Sequence, residues 1–178
     1  SDDKQTADNS TKEKVKTTTA QPKEETKKEE PKKETEKTHK IGDTVKVGDM
    51  VYRVNKISTA DQVGPSVLPT KANGKFLIVD LTLKNNGDKA ITVDSSFFKL
   101  KRGDKTYEAD SEASMSANQD EDGNITNSFF LQELNPDSEM SGKVVFDVAP
   151  DVASAKDLQL QVQTGLFGTQ TDVISLHK

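Results

Sequence analysis

The stretch KFLIVDLTLKNNGDKAITV, residues 75–93, alternates apolar and polar side chains and then enters a turn-forming sequence. One face of the extended run is wholly aliphatic, with Leu77, Val79, Leu81 and Leu83. This period of two predicts a half-buried β-strand. Asn85–Asp88 holds residue types that tolerate positive φ, so we expect a hairpin whose second strand runs through Ile91 and Val93. On the opposite face Ile78 stands among polar residues and needs cover from a loop or a partner.

Short runs of the same kind continue from Ile41 to the C-terminus, separated by turn signals. They lie at 43–57, 97–109, 128–134, 140–150, 157–164 and 171–178. Regularly spaced short strands predict an all-β sandwich or barrel of about seven to nine strands. The one stretch that favours a helical turn is Asp151–Ala155.

Residues 1–40 differ sharply from the rest of the chain. They hold 11 lysines and 10 acidic residues, no aromatic residue, and only three apolar ones, Ala7, Val15 and Ala20. So little apolar surface cannot offset the entropy of ordering the backbone. We therefore expect a disordered Lys/Glu/Thr/Pro tether at 1–40 and a folded domain at 41–178. The alternative, a helix stabilised by Glu–Lys pairs, is interrupted by Pro22 and Pro31.

Composition excludes several classes of protein. The chain has no cysteine, which removes disulfides, thiolate metal sites and cysteine nucleophiles. It has two histidines, His39 in the predicted tether and His177 at the C-terminus. Neither lies where a rigid frame would orient it against a nucleophile, so a Ser-His-Asp triad or a histidine-rich zinc site is not expected. The tail lysines are neutralised by neighbouring glutamates, which argues against nucleic-acid binding. We predict that the protein is not an enzyme.

One polar cluster, NQDEDGNIT at residues 118–126, has residues that suit a hard cation. Asp120, Asp122 and Asn124 alternate on a glycine-containing loop, and Ca²⁺ prefers several oxygen ligands in such a loop. The cluster lacks the distal bidentate glutamate of an EF-hand. The alternative interpretation is an acidic, solvated loop between two strands.

Apolar residues outside the alternating pattern are candidates for partner contacts. Leu166 and Phe167 lie between glycines in TGLFGTQ, which predicts either a plug docked into the core or an exposed tip that touches a protein or membrane. In each of the pairs Phe97-Phe98 and Phe129-Phe130 we expect one ring in the core. Ile78 completes the set of candidate partner contacts.

Four segments together resemble a known family: IGDTVKVGDMVYRV, GKFLIVDLTLKNNGDKAITV, FFKLKRGDKTYEAD and LNPDSEMSGKVVFDVAP. In order and content they resemble the telokin-like, immunoglobulin-fold domain of unknown function of Gram-positive surface lipoproteins. That fold is similar to the fold of a small secreted mycobacterial antigen. The chain departs from the family pattern at Pro136-Asp137, where Pro-Gly is usual. The resemblance implies an immunoglobulin-like sandwich outside the cytoplasm, and it implies no activity.

Together these observations predict a non-enzymatic cell-surface binding or adaptor module whose partner is a protein or envelope component. A lipidated cysteine directly before Ser1 would attach it to the membrane, and the tether would hold the domain away from that membrane. Fully extended, the tether would reach about 130–140 Å. The alternative for the tail is a linker from a larger protein. The alternative for the domain is an extracellular structural module stabilised by Ca²⁺ at Asn118–Thr126.

Overall fold

The structure is a computed structural model and describes residues 38–127, 129–164 and 170–177. Residues 1–37 of the predicted tether at 1–40 therefore lie outside the described residues. The folded region begins slightly earlier than the predicted boundary at Ile41, because His39 and Lys40 already form a strand that pairs with the last strand of the chain.

Eleven strands and two short helices make up the described part of the chain. The strands are β1 (His39–Lys40), β2 (Val45–Val47), β3 (Met50–Val63), β4 (Thr70–Asn85), β5 (Ile91–Val93), β6 (Phe98–Arg102), β7 (Lys105–Glu108), β8 (Gln132–Leu134), β9 (Glu139–Val148), β10 (Gln159–Gln163) and β11 (Thr171–Ser175). The helices are α1 (Ser111–Ala117) and α2 (Pro150–Ala153), and a 3-10 turn spans Ser95–Phe97. Helix α2 lies where the sequence favoured a helical turn.

The strands form two sheets that face each other across one core. A five-stranded sheet has the order β1-β11-β10-β6-β7, and a four-stranded sheet has the order β2-β3-β4-β9. A two-stranded ribbon joins β5 to β8. All pairs are antiparallel except β1 with β11. This is the predicted immunoglobulin-like sandwich, and the strand count exceeds seven to nine because β1, β2, β5 and β8 have only two or three residues.

The aliphatic face of β4 forms one wall of the core, as predicted. Leu77, Val79, Leu81 and Leu83 are all buried against the opposite sheet. Burial of each such side chain contributes about 1.5–3 kcal/mol to folding. A polar bond also crosses the core: the Tyr52 hydroxyl on β3 donates to the Gln163 carbonyl on β10, 2.5 Å away. Desolvation by burial raises the pKa of Tyr52 far above its ordinary value, so the hydroxyl keeps its proton.

The predicted hairpin between β4 and β5 is wrong. β4 pairs with β3 and β9, whereas β5 leaves the sheet and pairs with β8. The reason lies in Asn85, whose amide is fully buried. Its Nδ2 donates to the carbonyls of Lys89 (2.7 Å) and Leu134 (3.0 Å), and its Oδ1 accepts from the Gly87 N–H. These bonds turn the chain across the end of the sandwich.

Helix α1 was not predicted, and it covers the outer face of the four-stranded sheet. Asp110 caps its first turn by accepting from the Ala113 N–H at 2.9 Å. Ala113 packs in a second apolar cluster with Val63, Phe76 and Val145. Ile78 packs against this cluster. The cover that Ile78 needs therefore comes from the chain itself.

The same helix blocks the free edge of β9. Asn118, at the end of α1, donates from Nδ2 to the Lys143 carbonyl (2.9 Å) and accepts at Oδ1 from the Lys143 N–H (2.9 Å). Ser114 accepts from the Val145 N–H at 2.9 Å. These side chains make the bonds that another strand would make, so β9 cannot readily add a strand there.

Candidate interaction site at the β3–β4 tip

The turn between β3 and β4 presents two adjacent aliphatic side chains to solvent. Val67 is 85% exposed and Leu68 is 79% exposed. We call this feature the apolar tip. Exposed single apolar residues are common on protein surfaces, but two adjacent residues this exposed at the end of a long hairpin form an apolar patch that a partner could contact.

The backbone of the apolar tip is held in a defined turn. Leu68 N–H donates to the Pro65 carbonyl at 3.1 Å. Gly64 has a φ of +95°, a conformation that disfavours other residues, and a Cβ there would lie 2.1 Å from Ser116 Oγ. Ser116 in turn donates to the Val63 carbonyl at 3.3 Å. The tip is therefore anchored on helix α1.

A carboxylate on a second loop fastens the apolar tip from the side. Glu121 Oε2 accepts from the Ser66 hydroxyl (2.7 Å) and from the Ser66 N–H (3.1 Å). The Ser66 hydroxyl, followed by its N–H, holds the pKa of Glu121 below its ordinary value. We call the second loop, residues 118–126, the acidic loop. The apolar tip and the acidic loop thus form one surface, on which aliphatic side chains lie beside a carboxylate.

The acidic loop is organised around the Asp120 carboxylate. Asp120 Oδ1 accepts from the N–H groups of Asp122 and Asn124, each at 2.9 Å. The Asn124 N–H, with a smaller contribution from Asp122, holds the pKa of Asp120 below its ordinary value. Gln119 and Ile125 close the loop in an isolated β-bridge.

Two of the predicted Ca²⁺ ligands, Asp120 and Asn124, form hydrogen bonds within the loop. Asp120 bonds the loop backbone, and Asn124 Nδ2 points to Asp120 Oδ2 at 3.4 Å. In the described ranges no group of three or more His, Asp or Glu side chains is arranged to hold a metal ion. The loop geometry accounts for Asp120 and Asn124 without a cation, whereas the Asp122 carboxylate makes no hydrogen bond within the described residues. Ca²⁺ binding stays a prediction.

The other predicted contacts have different outcomes. Leu166 and Phe167 lie outside the described residues. Of the phenylalanine pairs, Phe97 and Phe98 are both buried, whereas Phe129 is buried and Phe130 is 54% exposed. Phe98 packs against Phe129 with ring centroids 5.7 Å apart.

A second exposed apolar feature follows Phe129. Leu131 is 56% exposed and has a φ of 46°, which is unfavourable for a residue with a branched side chain. Its N–H donates to Asp94 Oδ1 at 3.3 Å. Asp94 also accepts from the Ser96 N–H, so one carboxylate holds both segments.

Sequence reasoning missed the apolar tip because the segment 58–74 has the composition of an ordinary loop. A signal was nonetheless present. Val67 and Leu68 stand between Pro65 and Pro69, and this spacing leaves too little chain for them to fold back onto the core.

Within the described residues, no helix has the length and apolar character to cross a membrane.

Comparison with protein families matches residues 39–173 to a domain of unknown function, DUF4352. The chain belongs to this family. The match runs from β1 into β11, so it includes the sandwich, helix α1, the apolar tip and the acidic loop. The predicted resemblance to an immunoglobulin-like domain of unknown function is confirmed.

The chain is also similar to a curated protein and to solved structures, and of the structures YjhA and MPT63 the fold likeness rests on YjhA. The uncharacterized protein YxkC of Bacillus subtilis (strain 168) is 38% identical over 118 residues, which are 62% of this chain and 63% of that protein. The crystal structure of the YjhA protein from Bacillus subtilis has a TM-score of 0.56 at 18% identity, covering 78% of this chain and 99% of that one. MPT63, a secreted protein from Mycobacterium tuberculosis, has a TM-score of 0.49 at 14% identity, covering 78% and 95%.

Proposed function

We propose that this DUF4352 protein is a non-enzymatic binding or adaptor module outside the cytoplasm, and that it docks a protein partner through the apolar tip. The observation that carries the proposal is the near-complete exposure of Val67 and Leu68 on an anchored turn. A rigid protruding pair loses little conformational entropy on binding, so its buried area contributes directly to affinity. The fitting partner surface is an apolar pocket.

Charge favours a protein over a lipid surface as the partner. Residues 41–178 hold 14 basic and 20 acidic residues, and Glu121 stands directly beside the apolar tip. An anionic bilayer repels such a surface, whereas basic groups around an apolar pocket complement it. The partner chemistry that fits is therefore an apolar pocket with a basic rim.

A non-enzymatic role agrees with the surroundings of the described histidines. His39 Nε2 lies 3.0 Å from Asp172 Oδ2, which joins β1 to β11, and the His177 N–H bonds Ser175 Oγ at the chain end. Both positions are in edge segments of the fold. Neither histidine needs a catalytic role to account for its contacts.

We further propose that residues 1–37 tether the domain to a lipidated cysteine preceding Ser1. The support is compositional: a highly charged segment with nearly zero net charge and no aromatic residue precedes the sandwich. The precursor sequence tests this point. A signal peptide that ends in a small residue and cysteine directly before Ser1 supports the anchor, and its absence refutes the anchor while leaving the docking proposal intact.

Competition photo-crosslinking on intact cells tests the docking proposal. The full chain carries a photoreactive residue at Leu68, and an excess of unlabelled competitor is added before irradiation. We expect unmodified competitor to suppress a discrete cross-linked product, and the Val67→Ser/Leu68→Ser competitor to fail. A matched competitor with Asp104→Asn and Lys105→Gln, two exposed positions in the β6–β7 hairpin, should suppress it fully.

Two outcomes would overturn the proposal. One is equal suppression by the tip variant and by unmodified protein. The other is binding of the full chain to anionic phospholipid vesicles that is lost in the same tip variant, since that result assigns the tip to a membrane.

A further inference from the structure

A polar cavity of about 340 Å³ opens on the outer face of the four-stranded sheet, between the end of α1 and the acidic loop. Its walls include side chains from β4, β9 and the acidic loop, among them Asp80, Gln119, Asp120, Asn127, Ser141 and Lys143. The volume suits a small molecule. The cavity shares the acidic loop with the apolar tip, but none of its described lining residues belongs to the tip itself.

Several wall groups are fixed by bonds within the protein. Asn118 binds both backbone groups of Lys143. Ser141 Oγ lies 2.7 Å from Thr82 Oγ1, and Thr82 Oγ1 accepts from Asn55 Nδ2 at 2.9 Å. Two strands and a helix end therefore hold the cavity walls in place before any ligand binds.

The cavity contains two side chains of opposite charge that form no ion pair with each other. Asp80 and Lys143 are directly opposite in the β4–β9 ladder and both line the cavity. Opposite charges at such positions normally pair across the strands. Here Asp80 Oδ1 accepts from Asn55 Nδ2 at 3.2 Å. Among the described residues, Lys143 forms no ion pair, and Asp80 has no partner besides Asn55.

Asn55 holds this arrangement because of its place in the sheet. It lies at a register shift between Val54 and Lys56, where β3 bulges and leaves one residue without a partner strand residue. The bulge aims the amide at β4, where it binds Asp80 and Thr82. This bond uses one of the two carboxylate oxygens of Asp80, and the other oxygen makes no hydrogen bond or ion pair within the described residues.

Two amides complete the set of available groups. The side chains of Gln119 and Asn127 line the cavity and make no hydrogen bond within the part of the chain that the structure describes. Each offers both a donor and an acceptor. The cavity thus combines the free carboxylate oxygen of Asp80, the Asp120 carboxylate that is already bonded within its own loop, the Lys143 ammonium and two amides. No aromatic residue is among its described lining residues to stack on a sugar.

We propose that this cavity binds a small zwitterion of the amino-acid class, with its ammonium on Asp80 and its carboxylate on Lys143. A simple cation would face the charge of Lys143, and a simple anion would face Asp80 and Asp120. Only a ligand with both charges satisfies both walls, and a primary ammonium matches the hydrogen-bond acceptors present. The inference stands independently of the partner proposed for the apolar tip.

Amide spectra of the ¹⁵N-labelled full chain test this assignment. The probes are pools of L-amino acids and of D-amino acids at about 10 mM, a concentration that reveals millimolar affinities. The single-charge analogues are propylamine and propionate. We expect at least one pool to shift the Gln119, Ser141 and Lys143 amides in a saturable way, and neither analogue to do so.

Variants then assign the two charges. Asp80→Asn and Lys143→Gln should each weaken binding of the active amino acid about tenfold or more, in line with loss of a charged hydrogen bond. Asp104→Asn and Lys105→Gln carry the same chemical changes at exposed positions outside the cavity and should leave binding unchanged.

Three results would overturn the proposal. The first is no saturable shift with either pool. The second is an equal response to propylamine or to propionate, which would make the cavity a site for a single charge. The third is unchanged affinity in both Asp80→Asn and Lys143→Gln, provided that the variant spectra show the native fold.

Discussion

The side chains of strand β4 alternate between two faces, and these two faces have different surroundings. The inner face is aliphatic along its length and buried against the opposite sheet. The outer face is divided: Phe76 and Ile78 lie under helix α1, whereas Asp80, Thr82 and Lys84 continue beyond it. The inner face supports the fold, and the boundary on the outer face positions the polar cavity.

Leu81→Ala on the inner face should have the largest effect. Leu81 is buried in the main core, and Leu→Ala substitutions at such sites cost about 2–5 kcal/mol through lost transfer energy and a residual cavity. Urea unfolding at constant m-value measures the change in the free energy of unfolding. A loss below about 1 kcal/mol would mean that the two sheets do not pack as described.

Asn118→Ala should have the next largest effect, because it leaves the Lys143 N–H and carbonyl without partners at the edge of β9. Loss of a buried partner costs about 1–3 kcal/mol. We also expect faster hydrogen exchange at the Lys143 amide and a tendency to associate, since the freed edge accepts another strand. Unchanged exchange at Lys143, measured beside the Val79 amide as control, would contradict the edge-blocking role of α1.

Ile78→Ala on the outer face should cost less than Leu81→Ala, at about 1 kcal/mol. Ile78 is only half-buried and packs against the cluster under α1 rather than in the main core. The same urea experiment gives the difference between the two faces. Equal losses at both positions would show that the layer under α1 is as tightly packed as the sandwich interior.

Ser66→Ala should have the smallest effect, a rise in the pKa of Glu121 toward its ordinary value of 4.5. Because folding lowers this pKa, the stabilisation is complete above the ordinary value and is lost as the pH falls through the folded-state pKa. Carboxyl NMR titration of both proteins measures the pKa. Asp120 is the internal control, since its donors lie within its own loop. An unchanged Glu121 pKa would show that Ser66 does not fasten the acidic loop.

The inner face was predictable because its pattern is local. Alternation over Leu77–Leu83 is sufficient to identify a half-buried strand without knowing its neighbours. Helix α1 was not predictable in the same way. Its sequence, SEASMSA, contains three serines, which are indifferent helix formers, and Met115 is its one large apolar side chain, too few for an amphipathic pattern. The helix is stabilised by long-range contacts of Ala113, Ser114 and Asn118 with the outer face and β9.

Partner contacts were harder to predict than strands. Period-two reasoning identified Ile78 as a residue in need of cover, and it did not reveal that the cover is intramolecular. The loop composition of 58–74 concealed the apolar tip, whose exposure depends on the length of β3 and β4. The hydrogen bond from Asn55 to Asp80 comes from a bulge in β3, and one-residue register shifts leave no clear mark in a sequence.

Asn85 has a consequence for how related sequences are interpreted. Its amide joins the NNGDK segment after β4 to the Leu134 carbonyl, 49 positions away, and its backbone bonds Asp137 and Ser138 in the turn that follows. The NNGDK segment and the turn that contains Asp137 and Ser138 therefore form one structural unit. A homologue that retains the asparagine but lacks a matching turn before its counterpart of β9 would leave a buried amide with unmet bonds. In an alignment, agreement between these two distant motifs should be a better test of the fold than either motif alone.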